Sequence, residues 1–191
     1  MIYQLLGILS GVLLIIADIP YVRNAYLRKT QPHRVTWLVV FILNVIGFAN
    51  QLASGASNSL WLFGTAVFVT LVIFLLSLSR GVGGFEKVDI IALIGSGFGL
   101  FLWWLLDSPL ASIIANVIVV WIALAPTYIK AYHRPESETK ITWLIGAISA
   151  ALGTLSVGKL EADLLILPLN GVIIQAGVFL VLELRERQAV N

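Results

Sequence analysis

Apolar residues run along the chain in long blocks separated by short polar stretches. The blocks cover residues 2–22, 36–53, 59–79, 88–106, 109–130, 141–157 and 163–183. About 20 helical residues cross the roughly 30 Å of hydrocarbon in a bilayer, and the apolar runs lack the polar alternation of a membrane β-barrel. The pattern therefore predicts an all-α membrane protein with seven transmembrane helices.

The composition supports a location within lipid. Hydrophobic residues make up 59% of the chain and charged residues only 12%, whereas soluble domains carry about 25% charged residues. This excludes a water-soluble enzyme, a disordered chain and a nucleic-acid-binding protein. The chain has no cysteine, and no Ser–His pair or metal-ligand cluster falls within a span, so we expect no enzymatic activity, no metal and no cofactor.

The basic residues predict the orientation. With seven spans, eleven of the twelve Lys and Arg residues fall on one side of the membrane, and Lys159 alone falls on the other. Because basic loops stay in the cytoplasm, the amino terminus is predicted outside and the carboxyl terminus inside, with the cytoplasmic membrane as the default location. The basic loops are interpreted as topology signals. The lipid bilayer is therefore the predicted partner of these loops, and no nucleic-acid partner is expected.

An internal repeat appears at an offset of 106 residues. Residues 20–37 and 126–143 align without a gap and share six identities in eighteen positions. This divides the chain into a three-helix repeat (1–80), a linker helix (81–107) and a second three-helix repeat (108–191). The second repeat follows four crossings, so the repeats are parallel, and in such transporters the substrate site lies near the midplane between them. The alternative is that duplication only produced a stable bundle.

The aligned residues resemble a known family. Pro20, the pair Lys29–Thr30 and Thr36 in the first repeat, with Pro126 and Thr142 in the second, are similar to the motif of the SWEET and PQ-loop (MtN3-like) transporters. The resemblance covers the whole chain and implies facilitated passage of a sugar, or of an amino acid or another small metabolite. We therefore expect a transporter that moves a small neutral or zwitterionic solute, most simply a sugar, by alternating access between two three-helix bundles.

Small polar residues at membrane depth are the candidate binding groups. Ser10 in the first span aligns with Asn116 in the fifth, and Asn44, Asn170 and Gln175 lie in other spans. Uncharged donors and acceptors can replace water around such a solute. Each of these residues could instead join helices, at about 0.6 kcal/mol per pair.

Four residues are candidates for hinges and gates. Pro20 and Pro126 are predicted to kink their helices, with Tyr21 beside the first kink, although a proline can also simply end a helix. Trp61 near the outer end of the third span is a candidate outer gate. Residues 168–171, Pro-Leu-Asn-Gly, are predicted to interrupt the seventh span.

Two tryptophans occupy matching places in the repeats. Trp37 and Trp143 open the second and sixth spans. At such a position an indole ring is predicted to anchor the helix at the headgroup level.

Asp18 is the charged residue most clearly inside a span. A carboxylate at this depth is costly, so one hypothesis is that it binds and releases a proton during transport. The alternative is a salt bridge with Arg23 or Arg34.

Other functions also fit seven helices. A proton-coupled amino-acid or vitamin transporter and a heptahelical receptor or sensor of SWEET-like fold remain alternatives. The oligomeric state is left open, and a homo-oligomer is one of the alternatives.

Overall fold

The computed structural model describes residues 1–83 and 109–190, together with residues 90, 91, 94, 98, 101 and 105. The two long ranges form six α-helices and a 3₁₀ turn at Pro135–Ser137. The helices are α1 (Ile2–Tyr26), α2 (Arg34–Ala53), α3 (Leu60–Arg80), α4 (Pro109–His133), α5 (Lys140–Ser156) and α6 (Ala162–Val190).

The all-helical class is confirmed. Five of these helices are long and apolar enough to span a membrane, and α5 is a shorter apolar helix. They follow the predicted spans closely, with α4, α5 and α6 taking the fifth, sixth and seventh. The predicted linker helix of residues 81–107 lies mainly outside the described residues, although the six separate residues described between 90 and 105 are helical.

The helices pack in the same order in each half of the chain. In the first half α3 contacts both α1 and α2, and in the second half α6 contacts both α4 and α5. The halves meet mainly where α1 packs on α5 and where α2 packs on α4. The repeat of 106 residues relates α1 to α4 and α2 to α5. The α1–α5 contact and the α2–α4 contact therefore occupy equivalent places in the two halves.

The contact between α1 and α5, here called the α1–α5 seam, is built from small residues. The Ser10 hydroxyl donates to the Ser149 carbonyl oxygen at 2.8 Å, and the Ser149 hydroxyl donates back to the Ser10 carbonyl at 2.8 Å. Nearer the other end, the Thr142 hydroxyl donates to the Ala17 carbonyl at 2.8 Å. Because these side chains are short, the two backbones approach closely over most of their length.

The equivalent contact between α2 and α4, the α2–α4 seam, is wider and mostly aliphatic. Its buried core consists of Val35, Val39, Leu43, Ile46, Val119 and Ala123. The Asn116 amide donates to the Leu43 carbonyl at 2.9 Å, in the place that Ser10 and Ser149 occupy in the other seam. Thr36, the counterpart of Thr142, instead contacts the His33 ring at 3.3 Å. Equivalent positions therefore join the halves tightly on one side and less extensively on the other.

The predicted interruption at residues 168–171 is wrong, because α6 runs without a break through Pro168. Proline lacks an N–H, so the Leu164 carbonyl four residues earlier loses its helical donor. The Gln51 side-chain amide of α2 donates to the Leu164 carbonyl at 3.3 Å and to the Asp163 carbonyl at 3.1 Å. A fully buried amide from another helix thus replaces the missing donor.

The two ends of the bundle differ in charge. The end with Tyr26, Arg34, Arg80, His133 and Lys140, called the basic end, carries the helix termini rich in Lys and Arg. The opposite end, where α2 and α5 finish and α3 and α6 begin, is called the far end. At the basic end many cations are engaged: Arg34 donates to the Ser77 and Gly83 carbonyls at 3.2 and 2.9 Å, and Lys140 pairs with Glu183 and Glu186.

Candidate functional site

A cavity of about 530 Å³ lies between the two halves of the bundle. This volume is within the range of about 300–1,000 Å³ that is usual for small-molecule sites. All six α-helices contribute to its wall, and at the basic end it reaches Gln31 and His33. The lining stops at Leu14 on α1, at Gly47 on α2 and at Ala150 on α5, short of the far end of each helix.

Packed side chains close the bundle between the cavity and the far end. An apolar cluster forms the floor of the cavity and comprises Leu14, Leu62, Phe63, Ile113 and Leu167. Beyond it, the Asn50 side-chain amide nitrogen donates to the Ser112 hydroxyl at 2.9 Å, and that hydroxyl donates to the Asn50 side-chain oxygen Oδ1 at 3.1 Å. Both are 2% exposed, so this end of the bundle excludes solvent while the basic end admits it.

Two of the predicted binding residues are carboxamides held on one side of the cavity. The Asn44 amide nitrogen donates to the Val40 carbonyl at 3.0 Å, and the Asn116 amide nitrogen donates to the Leu43 carbonyl at 2.9 Å. Each of these bonds uses the nitrogen and fixes the side chain. Among the described residues nothing donates to either Oδ1 atom, so both remain acceptors for a bound solute.

Two further carboxamides line the cavity from α6. The Asn170 oxygen accepts from the Trp121 indole nitrogen at 2.8 Å, which leaves its amide nitrogen as a donor. The Gln175 amide lies across Gly146 of α5, where an added Cβ would come within 2.8 Å of the Gln175 Cδ. Within the described part of the chain Gln175 makes no hydrogen bond, so both its donor and its acceptor are available.

Ser10 does not join this group. The structure places it in the α1–α5 seam, fully buried and bonded to Ser149, and outside the cavity lining. Its repeat counterpart Asn116 does line the cavity because the longer amide reaches past the wider α2–α4 seam. The structure therefore brings together four of the five predicted binding residues.

Asp18 lines the cavity between its floor and the basic end. It makes no ion pair or hydrogen bond with any residue that the structure describes. The salt bridges weighed as an alternative are not formed, because Arg34 is directed to the Ser77 and Gly83 carbonyls and Arg23 lies exposed on another face of α1.

The hinge and inner-gate candidates lie at the basic half of the cavity. Tyr21 is 5% exposed and accepts a hydrogen bond from the Trp37 indole nitrogen at 3.1 Å, with the two ring centroids 5.2 Å apart. Neither Pro20 nor Pro126 ends its helix, since α1 continues to Tyr26 and α4 to His133. The hinge role of both prolines stays a prediction.

Trp61 lies outside the cavity lining, and its role as an outer gate stays a prediction. Its side chain is 52% exposed and borders a shallow groove on the outer surface with Ile15 and Phe68. Successive residues of a helix are about 100° apart, and the inward face of α3 is taken by Leu62 and Phe63. Trp61 therefore faces outward from the bundle.

Sequence reasoning missed a charged and aromatic group at the cavity mouth. Lys130 pairs with Glu138 at 2.6 Å, and the Trp143 indole nitrogen donates to the same carboxylate at 3.2 Å. Trp37 and Trp143 both line the cavity instead of serving only as interface anchors. The matched places of the two tryptophans in the repeat could have indicated a role in the cavity. Nothing in the sequence marks the loop residue Glu138, which is recognised only in the folded chain.

The chain was compared with protein-family models, curated proteins and solved structures. None of the three comparisons found a match.

Proposed function

We propose that this protein is a membrane transporter that moves a small neutral or zwitterionic solute by alternating access between two three-helix bundles joined by a linker helix. One observation carries the proposal. Carboxamides with donor or acceptor atoms that no described residue engages face a cavity between the halves of the bundle, and that cavity opens at the basic end and is closed at the far end. This is the arrangement of a binding site that faces one side of a membrane.

The far end is closed by contacts that can be broken without unfolding a helix. They are side-chain packing in the cavity floor and hydrogen bonds between helices of different halves, such as Asn50 to Ser112 and Gln51 to Leu164. Each is worth about a kilocalorie per mole. A rocking motion that separates these contacts and brings the basic ends together would expose the same carboxamides to the other side.

The polar groups of the cavity define the class of solute. They provide amide donors and acceptors between apolar and aromatic walls, which suits a polyhydroxylated or zwitterionic molecule. The resemblance to SWEET and PQ-loop proteins makes a sugar the first solute to test.

Proton coupling is a second candidate, and Asp18 supports it. A carboxylate that faces a membrane cavity without a described cation as partner is stabilised when it takes up a proton. Release of that proton on the other side of the membrane would couple the solute to a pH gradient.

Uptake into sealed vesicles tests the proposal. The purified protein is reconstituted and offered labelled sugars, amino acids and vitamins, with and without a pH gradient. We expect at least one solute to enter faster than in protein-free vesicles, and the Gln175→Leu variant to lower that rate about tenfold or more because a hydrogen-bonding group is lost.

Gln4→Leu is the matched control, because Gln4 is an exposed amide outside the cavity. It should leave uptake unchanged. Equal entry of every solute into vesicles with and without protein would contradict a transport function.

A further inference from the structure

The charges that line the cavity do not balance. Its described charged residues are Asp18, Glu138 and Lys130, and it also contains His33 and Tyr21 as titratable groups. Lys130 and Glu138 neutralise each other at 2.6 Å. Asp18 is left as the one carboxylate of the described lining that no cation offsets.

The other described cations near this region are directed elsewhere. Arg34 donates to the Ser77 and Gly83 carbonyls, and Lys140 is paired with Glu183 and Glu186. Arg23 is exposed on a different face of α1. Asp18 lies about 12 Å along the helix axis from Tyr26, so the loop that follows α1 is well away from it.

Aromatic side chains line the cavity between Asp18 and the basic end. Tyr21 is one turn after Asp18 on α1, and its ring packs on Trp37. Trp143 follows Thr142, whose hydroxyl is bonded to the carbonyl of Ala17, the neighbour of Asp18. A carboxylate beside aromatic faces is the combination that recognises an organic ammonium group, through charge and through cation–π attraction.

We infer that Asp18 is the specificity-determining residue of the cavity and that it selects a solute carrying an ammonium group over its uncharged counterpart. This rests on the proposed transport function and narrows its solute class. The carboxamides bind the remainder of the solute, and they include Gln175 and the Asn116 oxygen, which no described residue engages.

Binding to purified protein tests the inference separately from transport. Trp37 and Trp143 line the cavity, so quenching of tryptophan fluorescence reports occupancy. The probes are two matched pairs, D-glucosamine with D-glucose and L-leucinamide with 4-methylpentanamide, in which only the first member carries the ammonium group and the second is uncharged. We expect the ammonium member of at least one pair to bind about tenfold or more tightly than its partner.

Three variants identify the residue responsible. Asp18→Asn should remove that preference while leaving the weaker binding of the uncharged member unchanged. Asp18→Leu should do the same, and it introduces the residue that the second repeat has at the equivalent position, Leu124. Asp163→Asn makes the same chemical change outside the cavity and should have no effect.

The inference is overturned if both members of each pair bind equally, if the preference persists in both Asp18 variants, or if sodium ions alone produce the same Asp18-dependent quenching. If neutral sugars cross the vesicle membrane and the Asp18 variants keep their selectivity, this inference fails and transport stands. If ammonium probes bind through Asp18 and no solute crosses, transport fails and this inference stands.

Discussion

Gly153 of α5 and Gly47 of α2 occupy equivalent positions in the two halves of the chain, yet only Gly153 lies against neighbouring side chains at close range. A Cβ at residue 153 would overlap Leu62 and come within 3.0 Å of the Ser10 hydroxyl. A Cβ at residue 47 would meet its nearest neighbour, Leu167, at an ordinary 3.7 Å. The α1–α5 seam therefore needs glycine where the α2–α4 seam does not.

The two glycines make a matched pair of substitutions. We expect Gly153→Ala to lower the free energy of unfolding by about 1–3 kcal/mol, because the added methyl overfills a packed contact. Gly47→Ala should change it by less than about 0.5 kcal/mol. Unfolding in mixed detergent micelles measures both, and a larger loss for Gly47→Ala would contradict the unequal seams.

Gln51 and Pro168 are expected to be energetically coupled. Gln51→Leu leaves the Leu164 carbonyl without its side-chain donor, which should cost about 1–3 kcal/mol of stability. In the Gln51→Leu, Pro168→Ala double variant, the new N–H of residue 168 can bond to that carbonyl within the helix. The double variant should therefore regain part of the loss.

A double-mutant cycle of unfolding free energies measures this coupling. Thr70→Ala is a suitable control, because among the described residues its hydroxyl bonds within its own helix alone, to the Ala66 and Val67 carbonyls. Strict additivity of the Gln51 and Pro168 changes would show that the amide does not replace the missing donor.

Pro20 and Pro126 are expected to control the rate of exchange between inward and outward states. Replacing both by alanine restores a helical hydrogen bond in α1 and in α4 and stiffens the proposed hinges. Solute exchange across vesicles should slow while equilibrium binding stays nearly constant. Unchanged exchange in the double variant would remove the hinge role.

Asp18 is expected to set the response of transport to a proton gradient. If it carries the coupled proton, Asp18→Asn should abolish the acceleration of uptake of an uncharged solute by an imposed pH gradient and leave exchange of that solute without a gradient intact. Vesicle uptake at several external pH values measures this, with Asp163→Asn as the control. A pH response that survives in Asp18→Asn would exclude the proton role.

The positions of the helices could be predicted from the sequence, because apolar blocks of about 20 residues have a single stable form in lipid. The four carboxamides of the cavity were also predicted, since polar groups at membrane depth are rare enough to stand out. Ser10 is also a polar residue at membrane depth, but it lies in the α1–α5 seam and not in the cavity. Its hydroxyl is short enough to bond across a narrow seam, whereas its counterpart Asn116 extends into the cavity.

The sequence by itself determined the helical class, the apolar spans, the concentration of basic residues at one end and the repeat of 106 residues. These features depend on residues that are close together in the sequence or that recur at a constant offset. The tertiary structure alone decided that Trp61 faces outward, that Gln51 satisfies a carbonyl more than a hundred positions away, and that Glu138 pairs with Lys130 at the cavity mouth. Those outcomes depend on how each helix is rotated against its neighbours. That rotation is set by the packing of many side chains together, and no local pattern encodes it.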